Sequence, residues 1–150
     1  GYFIKGSRGR LIKSKTDIVL RSTDIKIAFW HSGILSRFNV VRFPILSPLL
    51  YGDPLKTRNV KGCNFAFWKE DAIAVNGFNN NISGWGHEDI EFAARLVNAG
   101  KKRRQLKLAA ICFHLHHDFV ARNKEQNNLE VYYSVVRNKV AICDNGINQV

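Results

Sequence analysis

Ser83-Gly84-Trp85-Gly86-His87-Glu88-Asp89 runs directly into Ile90-Glu91-Phe92-Ala93-Ala94-Arg95-Leu96-Val97-Asn98-Ala99-Gly100. Phe92, Ala93, Leu96 and Val97 fall on one helical face, and Gly100 is positioned to end the helix. The stretch therefore reads as a glycine-rich loop feeding a helix whose first turn is acidic. Acids at a helix N-terminus are favoured by about 0.3–1 kcal/mol each, which alone accounts for Glu88, Asp89 and Glu91. Capping does not call for Gly-Trp-Gly, however. Glycines permit a tight backbone path, and a Trp between them offers a flat face for stacking on a sugar or a base. Trp beside carboxylates suits carbohydrate, because hydroxyls want charged acceptors and the C–H face wants an aromatic ring.

On the C-terminal side, Lys101 to Arg104 reads as a solvated basic turn. Leu106 to Leu115 reads as a strand that runs into His114-Leu115-His116-His117. In an extended chain His114 and His116 point to one side, with His117 after a bend. Imidazole is a frequent ligand of Mn²⁺ or Zn²⁺, and this segment holds three of the chain's five histidines. The cluster alone is weak evidence, and metal binding and ordinary packing both stay open. A last helix is expected over Gln126 to Ile142, with Leu129, Tyr132, Tyr133, Val136 and Val140 at 3–4 spacing.

On the N-terminal side, Gly62-Cys63-Asn64-Phe65-Ala66-Phe67-Trp68 alternates as a buried strand would. Gly62 to Asn64 would let a ligand approach the backbone closely, or would serve tight core packing. Lys69 to Val75 reads as a short helix closed by Asn76-Gly77, and Asn79 to Asn81 as a polar loop. Residues 51–61 are turn-like, with Gly52, Asp53 and Pro54. Residues 28–50 read as amphipathic, with Phe29, Trp30, Ile34, Leu35 and Phe38 at helical spacing until Pro44 and Pro48 intervene. A membrane-surface helix or an insertion packed on the domain would each produce that pattern. Residues 17–27, with Ile18, Val19, Leu20, Ile25 and Ile27, have no clean period, and residues 1–16 read as a loop or weak strand.

Composition bounds the rest. A chain of 150 residues with 45% hydrophobic residues suits one compact domain with a real core. No run approaches the roughly 18 uninterrupted apolar residues of a membrane span. Cys63, Cys112 and Cys143 are odd in number and form no CxxC pair, which disfavours a disulfide framework or zinc knuckle and fits a reducing compartment. No charged-then-apolar leader opens the chain, and Gly1 does not read as a native start, so a fragment is expected. Residues 1–61 hold 12 Lys+Arg and 3 Asp+Glu, net +9, whereas residues 62–150 hold 11 and 9, net +2. The basic first region suits nucleic acid, anionic headgroups or a phosphorylated substrate.

Five blocks in order are Gly62-Cys63-Asn64-Phe65-Ala66-Phe67-Trp68-Lys69, Val75-Asn76-Gly77-Phe78, Gly84-Trp85-Gly86-His87-Glu88-Asp89, Arg95-Leu96-x-x-x-Gly100 and His114-Leu115-His116-His117. Together they resemble the C-terminal half of galactosyltransferase-type glycosyltransferases. The likeness is to bacterial family 2 enzymes that build lipopolysaccharide or capsule, and more distantly to the animal β-1,4-galactosyltransferases. It covers about residues 60–118. The resemblance implies an α/β GT-A fold, a mixed sheet with flanking helices, with 1–59 as a basic connector and 60–150 as the galactosyltransferase-like C-terminal domain. It implies sugar transfer with inversion, Asp89 as general base, and an acceptor site of Trp85, Gly86 and Glu88. Gly62 and Asn64 would touch the donor, and His117, with His114 as the second choice, would ligate Mn²⁺ (or Mg²⁺).

The implied partners are a nucleotide-sugar donor, most simply a UDP-sugar, and a saccharide or lipid-linked saccharide acceptor. Nucleic acid is not expected, because the cations are not interleaved with aromatics in a nucleic-acid-binding motif. A cytoplasmic location is expected, with peripheral contact at the inner membrane face through 1–59. One departure from the family is marked. Its Asp-x-Asp metal motif and nucleotide-binding strands are absent, since Asp17, Asp24 and Asp53 are the only Asp residues before Gly62. The isolated chain is therefore expected to be the acceptor half, with catalysis by itself in question. The alternative is a non-catalytic basic module binding carbohydrate or polyanion. Zinc hydrolase chemistry is disfavoured, as no HExxH occurs.

Overall fold

The structure, a computed structural model, describes residues 1–22, 27, 30–118 and 122–149. Asp24, Ile25 and Phe29 lie outside the described residues. The elements are β1 (Tyr2–Leu11), α1 (Lys13–Arg21), β2 (Ile34–Leu35), β3 (Phe65–Ala66), α2 (Lys69–Ala74), α3 (Glu88–Asn98), β4 (Lys102–His114) and α4 (Glu125–Asn138). They form an α/β arrangement on a mixed four-stranded sheet.

β1 is the central strand. β4 runs parallel along one edge, from Tyr2↔Lys102 to Arg10↔His114, while β3 (Ile4↔Ala66) and β2 (Leu11↔Ile34) pair antiparallel along the other. Residues 1–16 are thus a full strand followed by the start of a helix, not a loop or weak strand. Their glycines and cations lower β propensity, but ladders on both edges of β1 override it. The basic first region contributes the middle of the sheet, so sheet strands lie on both sides of residue 59.

Three other expectations change. The 28–50 helix does not form among the described residues. Ile34–Leu35 joins the sheet, and Arg37–Val40 and Pro44–Leu50 are 3-10 turns, the latter with a proline at its start and Pro48 inside it. A proline ring and its missing N–H forbid a continuous α-helix there. The 62–68 strand shrinks to Phe65–Ala66 after a 3-10 turn at Gly62–Asn64, because only Ile4 and Lys5 offer it a ladder. Trp68 is therefore exposed. Nor is Lys101–Arg104 a solvated turn, since β4 already begins at Lys102. Arg103 is buried, and its Nη2 donates to the Asp53 carbonyl at 2.7 Å. The helices expected at 69–75, before Gly100 and at 126–142 are present as α2, α3 and α4, the last ending at Asn138 with Lys139 left-handed.

The main core joins Phe3 of β1 and Val60 to Ile90, Phe92, Ala93 and Leu96 of α3 and Tyr132 and Val135 of α4. Phe65, Phe67 and Phe92 pack ring against ring there, and the exposed Phe78 stacks on Phe92 from outside. The sequence assigned α3 one apolar face, yet Ile90 through Leu96 are all buried, Glu91 and Arg95 included. The two ions satisfy each other. Arg95 Nε and Nη2 donate to the Glu91 carboxylate at 2.9 Å, while Nη1 and Nη2 donate to the Val75 and Gly77 carbonyls at 2.6 and 2.7 Å. This fork ties the end of α2 to α3, and with it the start of the 78–87 loop.

A second feature bears on the site. The β1–β4 register jumps from Gly6↔Leu106 to Ser7↔Ile111, so Lys107–Ala110 bulge out of the ladder with Leu108 at φ +63°. Asn64 fills the break, its Nδ2 donating to the Ser7 and Ala110 carbonyls at 2.7 and 3.2 Å. Gly6 leaves room for that amide, since a Cβ there would collide with it.

Candidate functional site

The Ser83–His87 loop is shaped by positive φ at Gly84 (+78°), Gly86 (+102°) and His87 (+75°). Those angles favour glycine at the first two positions. Asn128, buried on α4, holds the loop from beneath by donating to the Ser83 carbonyl at 3.2 Å and the Gly86 carbonyl at 3.0 Å. Lys124 Nζ adds a bond to Ser83 Oγ at 2.9 Å. The sequence offered one hint of Asn128, an amide one turn before Tyr132 on the apolar stripe of α4. So fastened, Trp85 stays part-exposed, with the Arg122 guanidinium 4.0 Å above its ring.

Trp85 lines a cavity of about 280 Å³ together with Arg8, Arg10, His114, His116 and His117. Two sequence features about 30 residues apart, the Trp loop and the histidine strand end, thus share one wall. Arg8 and Arg10 come from β1, where Arg10 pairs with His114. His114 Nε2 and His117 Nε2 lie 3.1 Å apart. His117 Nδ1 sits 2.9 Å from the Asp118 carbonyl, so the Nδ1–H tautomer donates there and leaves a lone pair on Nε2. Burial first, then the charges of Arg8, His117 and Arg10, push His114 below the usual imidazole value and favour its neutral form. His116 is a structural anchor, its N–H donating to Thr16 Oγ1 at 2.8 Å.

The histidine pair fits a divalent ion. Two nitrogens on one metal at about 2.1 Å and a right angle sit about 3.0 Å apart, close to the spacing seen. Among the described residues no third His, Cys, Asp or Glu joins them. A metal held here would draw its other ligands from substrate oxygens and water.

The acids lie to one side. Asp89 Oδ2 accepts from the Gly62 N–H at 2.9 Å and Oδ1 from the Ile90 N–H at 2.7 Å, which fixes the carboxylate between α3 and the 62–64 turn. Glu88 is exposed, and neither acid lines the histidine cavity. The connection runs through Gly62 to Cys63, whose Sγ is 3.9 Å from Arg8 Nη1, and so to the cavity wall. Gly62 is thus a partner of Asp89 and Asn64 the plug of the β4 bulge. Asn64 also lines a second, basic cavity that includes Arg8 and Arg10.

Residues 50–118 match the model of a family described as the N-terminal domain of galactosyltransferase. The match covers just under half of the chain and supports a galactosyltransferase-like glycosyltransferase family for this segment. It spans the blocks from Gly62 to His117, which the sequence reading assigned to the C-terminal half of such enzymes. No curated protein and no solved structure matches the chain.

Proposed function

We propose that the chain forms the acceptor-side part of an inverting, nucleotide-sugar-dependent glycosyltransferase of GT-A type, acting in lipopolysaccharide or capsular polysaccharide synthesis. The carrying observation is the family match over residues 50–118, which takes in Trp85, Asp89 and the histidine strand end. In this reading Trp85 stacks on the acceptor sugar, Gly86 lets it approach, and Glu88 receives its hydroxyls. Asp89 takes the proton of the attacking hydroxyl as the new glycosidic bond forms, on the face opposite the departing nucleotide diphosphate. Its two backbone donors hold the carboxylate still, and each oxygen keeps a further lone pair for that proton. Gly62 and Asn64 border the donor. His117 and His114 are the residues that would hold Mn²⁺ (or Mg²⁺), which supplies charge neutralisation at the leaving diphosphate.

The acceptor is a saccharide or lipid-linked saccharide. Exposed Phe38, Ile45 and Leu49 beside Arg37 and Arg42 suit peripheral contact with an anionic inner membrane face, and hence a cytoplasmic location. No helix among the described residues is long and apolar enough to cross a membrane. In a transfer assay with nucleotide-sugar donors, Asp89→Asn lowers turnover by about 10²–10⁴-fold while thermal unfolding stays within a few degrees of wild type. Turnover like that of wild type in this variant would overturn the base.

A further inference from the structure

Two of the three thiols meet. Cys63 stands on the Gly62–Asn64 turn and Cys112 on β4, far apart in the chain, yet a hydrogen bond joins their side chains. The sheet builds this meeting. Arg8 of β1 lies opposite Cys112 in the β1–β4 ladder, and its Nη1 is 3.9 Å from Cys63 Sγ. Asn64, next to Cys63, spans the same two strands by donating to the Ser7 and Ala110 carbonyls at 2.7 and 3.2 Å. The turn is thereby held over the sheet at the level of Cys112. Cys63 is exposed and Cys112 part-buried, whereas Cys143 is buried elsewhere, its Sγ donating to the Asn76 carbonyl at 3.4 Å.

We infer that Cys63 and Cys112 are a redox-active pair that closes into a reversible intrachain disulfide, the oxidant being a small-molecule disulfide such as glutathione disulfide. The exposed Cys63 sulfur attacks one sulfur of the oxidant and forms a mixed disulfide, and the first glutathione leaves with the Cys63 proton. Cys112 then attacks Cys63 Sγ, the bond from Cys63 to glutathione breaks, and the second glutathione leaves with the Cys112 proton. Two electrons pass from the two thiols to the oxidant, whose disulfide becomes two thiols. In a reducing compartment such a pair serves as a sensor and not as a permanent staple.

Closure acts on the turn that supports Asp89. Gly62, one residue before Cys63, donates its N–H to Asp89 Oδ2 at 2.9 Å. A covalent bond brings two sulfurs closer than a thiol hydrogen bond does, so closure draws Cys63 toward β4 and disturbs the Gly62–Asp89 contact beside it. In the proposed function, on which this consequence alone rests, the base then loses one of its two backbone donors and transfer falls. The disulfide itself does not depend on that reading.

The test equilibrates the full chain in glutathione buffers of rising oxidised-to-reduced ratio, quenches with acid, alkylates, and maps peptides by mass spectrometry without reduction. The expected product is a monomer carrying a Cys63–Cys112 linked peptide, with Cys143 outside the link and both thiols recovered in dithiothreitol. Cys112→Ser is expected to stop at a glutathione adduct on Cys63. The pair falls if wild type stops at that adduct as well, if Cys63 links to a second chain instead, or if Cys112 stays free in fully oxidised buffer. Mapping of wild type decides this even if Cys112→Ser does not fold. In the transfer assay, the oxidised chain is expected to turn over about tenfold more slowly than the reduced one, with recovery in dithiothreitol, while the oxidant leaves the rate of Cys63→Ser unaltered. A mapped disulfide with turnover at the reduced rate overturns the effect on Asp89. Mapping needs no transfer activity, so the disulfide and the glycosyltransferase reading fail separately.

Discussion

Single residues here do work that their types alone do not announce. Glu91 reads as one more acid in a helix first turn, yet it is wholly buried and exists to answer Arg95. Removing one partner of such a pair typically costs about 3–5 kcal/mol, because the other charge is left uncompensated. The thiols differ in a testable way. Burial, then the neighbouring Cys63, pushes the Cys112 thiol up to about 11 from an ordinary 9.0, whereas Cys63 is exposed on the 62–64 turn. A raised thiol keeps its proton, so its contribution to stability is complete below pH 9 and is lost between pH 9 and about 11. Alkylation at pH 8 followed by peptide mass mapping is expected to label Cys63 well before Cys112, with Cys112 catching up only near pH 11. Equal labelling of the two at pH 8 would contradict the burial argument.

Among the elements, the β1–β4 ladder and the 83–87 loop decide where chemistry-bearing side chains meet. Helices α2, α3 and α4 were readable because apolar spacing, Asn76-Gly77 and Gly100 are local signals. β1 was not, because its stability comes from partners that arrive 23 to 104 residues later in the chain. The break in that ladder depends on Asn64 lying over Gly6. Gly6→Ala forces the amide away from the Ser7 and Ala110 carbonyls and is expected to destabilise the fold by about 1–3 kcal/mol. Denaturant unfolding measures this, and Asn64→Ala in the Gly6→Ala background tests the cause. If the second substitution adds its full separate cost instead of relieving the collision, the collision is not the reason.

At the scale of the whole molecule, the sheet carries two cavities that share Arg8 and Arg10, one with Trp85 and the histidines and one lined by cations. If His114 and His117 hold Mn²⁺, the ion binds the native state alone and raises its melting temperature. At one hundred times the dissociation constant the gain is about 2.7 kcal/mol, and His117→Ala removes it. An unchanged melting temperature at millimolar Mn²⁺ would count against the pair. The sequence by itself determined helices α2, α3 and α4, the ordered blocks from Gly62 to His117, the asymmetry of charge and the family likeness, since each is written in local spacing or in residue order. Only the tertiary structure decided that the basic first segment is the central strand, that Arg8 and Arg10 face the histidines, that Asp89 stands beside the histidine cavity and not in its wall, and that Arg103, Glu91 and Arg95 are buried. Those outcomes depend on which distant segments pair and pack. Long-range pairing leaves no periodic trace in the strand that receives it.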